Sequence, residues 1–259
     1  MLRFVVNLDR SIERFRCISE SLESFGLSFT RISAIDGKLL TKNELQKLAV
    51  PKDERLLCFR ELTPGEVGCF LSHRECWKKL VESDQNWALI LEDDCVFSTN
   101  AKSLMETENW IPKDIQLCQL AHIGCSGEKV IIERRKYKLF NGSEVVRVIK
   151  PHHIGTLAYL IHRDVARVAL DATRKIEAPV DEFLFSMRYS FGREYAGWMV
   201  NPYPVKPDVA VGSTIGHEKE NSDFGRPGSL AQFCRKVFNR VYVSIYRKVR
   251  GKRSIVRFE

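Results

Sequence analysis

The stretch W-A-L-I-L-E-D-D, residues 87–94, decides how the rest of the chain is read. Five apolar residues in succession are too few for a buried helix and do not alternate with polar ones. That pattern suits a strand covered on both faces, the central kind found in a parallel α/β sheet. Three carboxylates follow directly, at the C-terminal end of the strand, where open α/β sheets place their ligands.

Working outward, R-F-V-V-N-L (Arg3–Leu8) reads as a first buried strand, followed by a helix. Ile12, Phe15, Ile18, Leu22 and Phe25 keep helical spacing, Ser11 or Asp9 can cap the start, and Gly26 stops it. Leu27–Ile35 then reads as a second strand ending at the turn Asp36-Gly37. Thr41 with Glu44, and Thr63 with Glu66, each match a capping box, and Pro64 suits the first position of the second helix. Beyond the central strand, Ile115–Ile123 reads as a strand and Lys129–Ile149 as a hairpin turning at Asn141-Gly142. Gly155–Ile161 reads as a strand leading into a helix over Asp164–Asp171. Pro179-Val180-Asp181-Glu182 opens a further helix, and the proline-rich stretch from Asn201 to Asp208 reaches an extended segment.

A chain of 259 residues suits one large α/β domain, and 44% apolar residues describe a packed protein rather than a disordered one. No apolar run reaches the roughly 18–20 residues of a membrane span, and the N-terminus shows no secretory pattern. Eight cysteines without any C-x-x-C pair are expected to be buried, reduced thiols. The net charge of +8 is concentrated at one end. Residues 229–259 hold nine Lys/Arg and one acid, which leaves 32 charges of each sign in residues 1–228. A neutral body argues against nucleic-acid binding and points to an anionic partner for the tail.

Consecutive carboxylates at a strand end repel one another unless a cation or partner is present. If extended geometry continued, Glu92 and Asp94 would share one side and Asp93 the other. Two such carboxylates can hold a hard divalent ion that also binds a diphosphate. Asn7, Asp9, Arg10 and Arg14 lie at the end of the first strand and in the following helical turn, a position suited to phosphate. His73, beside Ser72, has the ordinary alternative of a hydrogen-bonded structural role. Asp181 and Glu182 have that of complementing a helix N-terminus.

Taken together, these segments resemble glycosyltransferase family 25, the lipopolysaccharide and lipooligosaccharide hexosyltransferases. The resemblance rests on V-N-L-D-R-S-I-E-R-F (6–15), I-S-A-I-D-G (32–37), L-T-P-G-E-V-G-C-F-L-S-H (62–73), L-I-L-E-D-D (89–94), G-T-L-A-Y-L-I (155–161) and P-V-D-E-F-L (179–184), in the expected order. It implies a GT-A-like, Rossmann-type α/β fold with a mostly parallel sheet, and inverting transfer of a hexose, galactose ahead of glucose, from a UDP-sugar. Glu92 and Asp94 stand at the place of the family's metal motif, for Mn²⁺ or Mg²⁺. Asn7, Leu8, Asp9, Arg10, Arg14, Asp36, Gly37, Ser72, His73, Glu92 and Asp93 are the residues expected around the nucleotide sugar. Inversion needs one base on the acceptor side. Asp181 is the first candidate, with Glu182 and Asp93 behind it.

The expected organisation is a catalytic domain over 1–228 and a tail over 229–259. In the tail Leu230, Phe233, Val237, Phe238, Val241, Ile245 and Val249 form an apolar stripe, with most basic residues opposite. This basic amphipathic helix fits an anionic membrane surface. The expected acceptor is a lipid-anchored oligosaccharide, and the expected place is cytoplasmic, peripheral at the inner face of the bacterial inner membrane. Two other readings stay open: a catalytically silent homologue that binds nucleotide sugar, and a sugar-1-phosphate nucleotidyltransferase. The last would want a glycine-rich loop after the first strand, and residues 7–15 contain no glycine. A collagen-modifying relative is conceivable by family, but the expected lack of a leader and the free thiols weigh against it.

Overall fold

The computed structural model describes residues 1–51, 61–121, 129–148, 155–187, 189–195, 197–208, 241, 244 and 251–255. Its centre is a nine-stranded mixed sheet in an α/β arrangement. In chain order the elements are β1 (Leu2–Asn7), α1 (Ile12–Ser24), β2 (Thr30–Ser33), α2 (Lys42–Leu48), α3 (Pro64–Val81), β3 (Trp87–Glu92), β4 (Cys95–Phe97), α4 (Ala101–Glu106), β5 (Leu117–Gln119), β6 (Lys129–Lys138), β7 (Glu144–Val148), β8 (Ala158–His162), α5 (Arg163–Ala172), α6 (Val180–Phe185), α7 (Ser190–Tyr195), β9 (Trp198–Asn201), β10 (Val205–Pro207) and β11 (Gly251–Ile255). The sheet order is β11-β6-β7-β9-β5-β8-β3-β1-β2, and β10 pairs with β4 in a small separate ribbon.

The half around β1 is the parallel unit expected from the opening strand, helix and strand. β1 lies between β2 and β3, parallel to both. β3 meets β8 on its other side in antiparallel register, Leu89 opposite Leu160. β5 follows, antiparallel to β8 and parallel to β9, and β9, β7, β6 and β11 continue the sheet by antiparallel pairings. The second strand is shorter than its sequence pattern, Thr30–Ser33 rather than 27–35, because Leu27 packs in the core ahead of it and Asp36 already caps a tight turn over Gly37–Leu39.

Period-two alternation divides the core into two layers. Ala88 and Ile90 of β3, with Phe4 and Val6 of β1, face a layer built with α3, α5 and α6. Leu89 and Leu91, with Val5, face the layer of Ile18 and Leu22 from α1 and Leu104 from α4. β3 reads as unbroken apolar sequence because both of its faces are covered.

The helix starts follow their signals unevenly. Thr41 and Thr63 both make complete capping boxes with Glu44 and Glu66. Ser11 stands at the N-cap of α1 but makes no side-chain cap bond, and Asp9 turns away to Arg31 and Ser33. Gly26 ends α1 at φ 70°, and Gly142 turns the β6–β7 hairpin at φ 85°. Of the expected tail helix, only Val241 and Ser244 fall within the described residues, both helical. The stripe otherwise lies outside them. Residues 251–255 are not part of a free basic helix: they form the edge strand β11 beside β6. Among the described residues, no helix is long and apolar enough to cross a membrane.

Candidate active site

A cleft opens at the C-terminal ends of β1 and β3, with about 700 Å³ of empty space including its open mouth. Its wall contains Leu8, Arg10, Arg14, Asp36, Gly37, Ser72, His73, Glu92, Asp93 and Asp94, all expected from the sequence. Cys69, Gly65 and Lys38 line it as well and were not singled out beforehand. Asn7, Asp9, Asp181 and Glu182 are not among the residues that line it.

The acidic turn is built by the end of a strand. Alternation holds through Glu92, which falls on the α3 side, and stops there because Asp93 and Asp94 form a turn before β4. Glu92 Oε1 accepts from the Thr156 hydroxyl at 2.5 Å and lies 3.5 Å from His73 Nε2. Asp93 and Asp94 instead meet the same α1 side chain, with Arg14 Nε 3.0 Å from Asp93 Oδ1 and Arg14 Nη2 2.7 Å from Asp94 Oδ2. Glu92 and Asp94 therefore do not share one side in the way an extended strand would require, although both line the cleft.

Burial pushes the Asp94 carboxyl up to about 6, with the charges of Glu92 and Asp93 adding to it and Arg14 opposing. Burial likewise raises Asp93, against hydrogen bonding from Asn7 and the charge of Arg14. Burial works against the Glu92 carboxylate too, but His73 and Thr156 outweigh it and hold the group below its ordinary range. His73 Nε2 faces Glu92 Oε1 at 3.5 Å and has no hydrogen-bond partner of its own.

The remaining expected residues have defined places. Asn7 is a buried hub beneath the cleft. Its Nδ2 donates to Asp93 Oδ2 at 2.6 Å and to Ser11 O at 3.0 Å, while its Oδ1 accepts two bonds from Arg31. Arg31, which no sequence signal marked, also takes Asp9 out of the cleft. Arg10 pairs with Asp36 across the mouth. Ser72 is fully buried, donates to Gly68 O at 2.7 Å and accepts from Ile35 N at 2.8 Å, so its hydroxyl fastens the 35–37 turn to α3. Gly37 fits because the chains touch there: a Cβ would lie 1.7 Å from Pro64 O.

Asp181 lies in the first turn of the short α6, where its Oδ1 accepts from Glu182 N at 2.8 Å. Burial raises its carboxyl to about 7, helped by the negative charges of Glu182, Glu92 and Glu66. A carboxyl with that pKa can take up and release a proton near neutral pH. Cys69 feels Glu92, Asp181 and Glu66 at once, so α3, β3 and α6 share one acidic neighbourhood.

The residues fit a divalent cation. Asp94 Oδ1 is buried with no hydrogen-bond partner, beside two further carboxylates and a single guanidinium, and an oxygen left free among acids is what a hard cation relieves.

Residues 1–184 match the family described as "Glycosyltransferase family 25 (LPS biosynthesis protein)". A "Glycosyltransferase 25 family member" of Aedes aegypti is 30% identical over 238 residues, covering 86% of this chain and 38% of that protein. "Procollagen galactosyltransferase 2" of Homo sapiens is 28% identical, over 70% of this chain and 29% of that one. "Inactive glycosyltransferase 25 family member 3" of Homo sapiens is 30% identical, over 70% and 30%. The chain thus spans between 29% and 38% of the length of these relatives. A solved glycosyltransferase involved in glycosylation of the major capsid of PBCV-1 aligns with a TM-score of 0.39 at 11% identity, over 73% of this chain and 75% of that one. With the family match covering the cleft, the acidic turn and the start of α6, the chain belongs to glycosyltransferase family 25.

Proposed function

We propose that the chain is an inverting hexosyltransferase that moves galactose from a UDP-sugar to a lipid-anchored oligosaccharide. The observation that carries this reading is the acidic turn, three carboxylates with one uncommitted buried oxygen, facing a cleft edged by Arg10 and Arg14. Glu92 and Asp94 would hold Mn²⁺ or Mg²⁺, and the bound ion would neutralise the diphosphate leaving group. Arg14 keeps Asp93 and Asp94 in place, and Asn7 anchors Asp93 from below. Asp181, which shares the acidic neighbourhood of Cys69 and Glu92, is the base that removes the acceptor hydroxyl proton, burial having raised its carboxyl to about 7. No covalent intermediate is required.

Galactose is preferred because relatives carry the name procollagen galactosyltransferase. A polypeptide acceptor is the second reading, favoured by the same names. A catalytically silent chain is the third, favoured by the relative named inactive. Release of UDP is measured from UDP-galactose, UDP-glucose and their N-acetyl analogues, with Mn²⁺ or with EDTA, using a lipooligosaccharide core or a collagen-type peptide as acceptor. Transfer from UDP-galactose to the oligosaccharide, lost in EDTA, is expected. Full turnover in EDTA overturns the metal assignment, and turnover only on the peptide replaces the acceptor. No turnover with any pair supports the silent homologue.

The basic tail is proposed to hold the enzyme at the anionic inner face of the bacterial inner membrane, on the cytoplasmic side where a lipid-anchored acceptor would be built. The concentration of net charge in 229–259 supports this reading.

A further inference from the structure

Cys69 and His73 are four residues apart on α3, so their side chains leave the same face of the helix. β3 delivers Glu92 to that face. One ligand atom from each of the three lies within 4.8 Å of the others. His73 is fully buried, and its Nε2 has no hydrogen-bond partner although Glu92 Oε1 is 3.5 Å away. That spacing is close to the edge of a tetrahedron, roughly 3.4 Å, whose centre lies about 2.1 Å from nitrogen and oxygen ligands.

The other side of the imidazole is already fixed. His73 Nδ1 is 2.9 Å from Tyr159 Oη, which also accepts from Trp77 Nε1 at 2.9 Å. An outer partner of this kind sets the orientation of a metal-bound histidine. All three candidate ligands are among the residues that line the cleft. Burial, with the negative charges of Glu92, Asp181 and Glu66, disfavours a bare thiolate at Cys69, and the same charges favour a cation.

We propose that Cys69, His73 and Glu92 form a site for a thiophilic divalent ion of the zinc type, which shares Glu92 with the hard-cation position but does not use Asp94. Sulfur and imidazole ligands select zinc over magnesium or manganese. Three protein ligands leave a fourth position facing the cleft, as in open zinc sites. Binding forms the sulfur–metal bond and breaks the S–H bond, and the Cys69 proton leaves to solvent, so affinity rises with pH. An ion held here engages Glu92, and therefore competes with the cation beside Asp94.

Cobalt(II) added to the full chain reports on this site directly. The expected result is a thiolate-to-cobalt charge-transfer band with tetrahedral d–d absorption, both removed by equimolar zinc. Cys69→Ser should lose the charge-transfer band, and Asp94→Asn should keep it. X-ray absorption of the zinc-loaded wild-type chain, which does not depend on any variant folding, should show a single sulfur among nitrogen and oxygen neighbours. A wild-type chain without the band, a band that persists in Cys69→Ser, or a zinc shell lacking sulfur would overturn the proposal.

Discussion

At the scale of single residues the cleft separates groups that hold the architecture from groups left free for chemistry. Asp93 is committed through both oxygens, to Asn7 and Arg14, whereas Asp94 keeps one oxygen without a partner. Asp94→Asn is therefore expected to weaken Mn²⁺ binding, followed by calorimetry, by more than Asp93→Asn does. The Asp93 variant should show its larger effect in urea unfolding, because it disturbs a buried charge pair. The reverse order of metal affinities would move the ion to Asp93. Asp181 yields a prediction with two readouts. Asp181→Asn should abolish transfer while UDP-galactose binding stays near wild type, and wild-type turnover should rise as pH passes through about 7, where the carboxyl loses its proton. Its folded pKa is raised, so the fold holds a proton that the unfolded chain releases near its ordinary value of 3.8. Wild-type stability contributed by this group is present below that value and is lost as pH rises toward about 7. The asparagine variant should lack this loss, and so melt higher than wild type at pH 8 by more than at pH 5. Near-normal turnover in the variant would transfer the base to Glu182 or Asp93.

The elements position these residues through close backbone contact more than through side-chain reach. The first turn of α3 lies directly on the 35–37 turn, and both Gly37 and Gly68 are needed there. A Cβ at Gly68 would stand 2.5 Å from Ile35 O. Ser72 adds a hydrogen-bonded tie between the same two segments. Gly37→Ala should cost roughly 1–3 kcal/mol in denaturant unfolding, since the obstructing atom is a backbone carbonyl that cannot rotate away. The same variant should weaken UDP-sugar binding, because Asp36, Gly37 and Lys38 form part of the cleft wall. Unchanged stability would show that the turn can separate from α3 without loss.

For the whole molecule, the described apolar clusters draw on residues from Met1 to Val205. A chain ending before Ser229 loses β11 from the sheet edge, yet keeps these clusters. It is expected to fold, to unfold cooperatively, and to transfer hexose to short soluble acceptors. It should also lose most binding to anionic vesicles, and the intact chain should lose it in high salt. Each basic residue near such a surface contributes about 1 kcal/mol, and salt screens that contribution. Failure of the shortened chain to fold would mean that the tail belongs to the domain through β11 and its neighbours. Unchanged vesicle binding would end the docking proposal.

Local chemistry determined much of this protein. The unbroken apolar run of β3, the two capping boxes and the glycine stops at 26 and 142 depend on neighbours within a few residues, and each is present in the fold. The acidic turn was legible for the same reason: carboxylates directly beyond a buried strand end have few places to go. Tertiary structure alone decided which neighbour each acid meets. Alternation could not foresee that the chain turns after Glu92, sending that residue to His73 while Arg14 takes the two aspartates. The commitment of Asn7 and Asp9 to Arg31 joins the end of β1 and the turn after it to β2, 22 or more positions away, and no local pattern encodes such a pair. Cys69 gave no signal beyond its spacing from His73, because its surroundings come from β3 and α6. The edge strand at 251–255 was hidden behind a basic, amphipathic pattern, and a strand at a sheet edge is defined by the partner it meets.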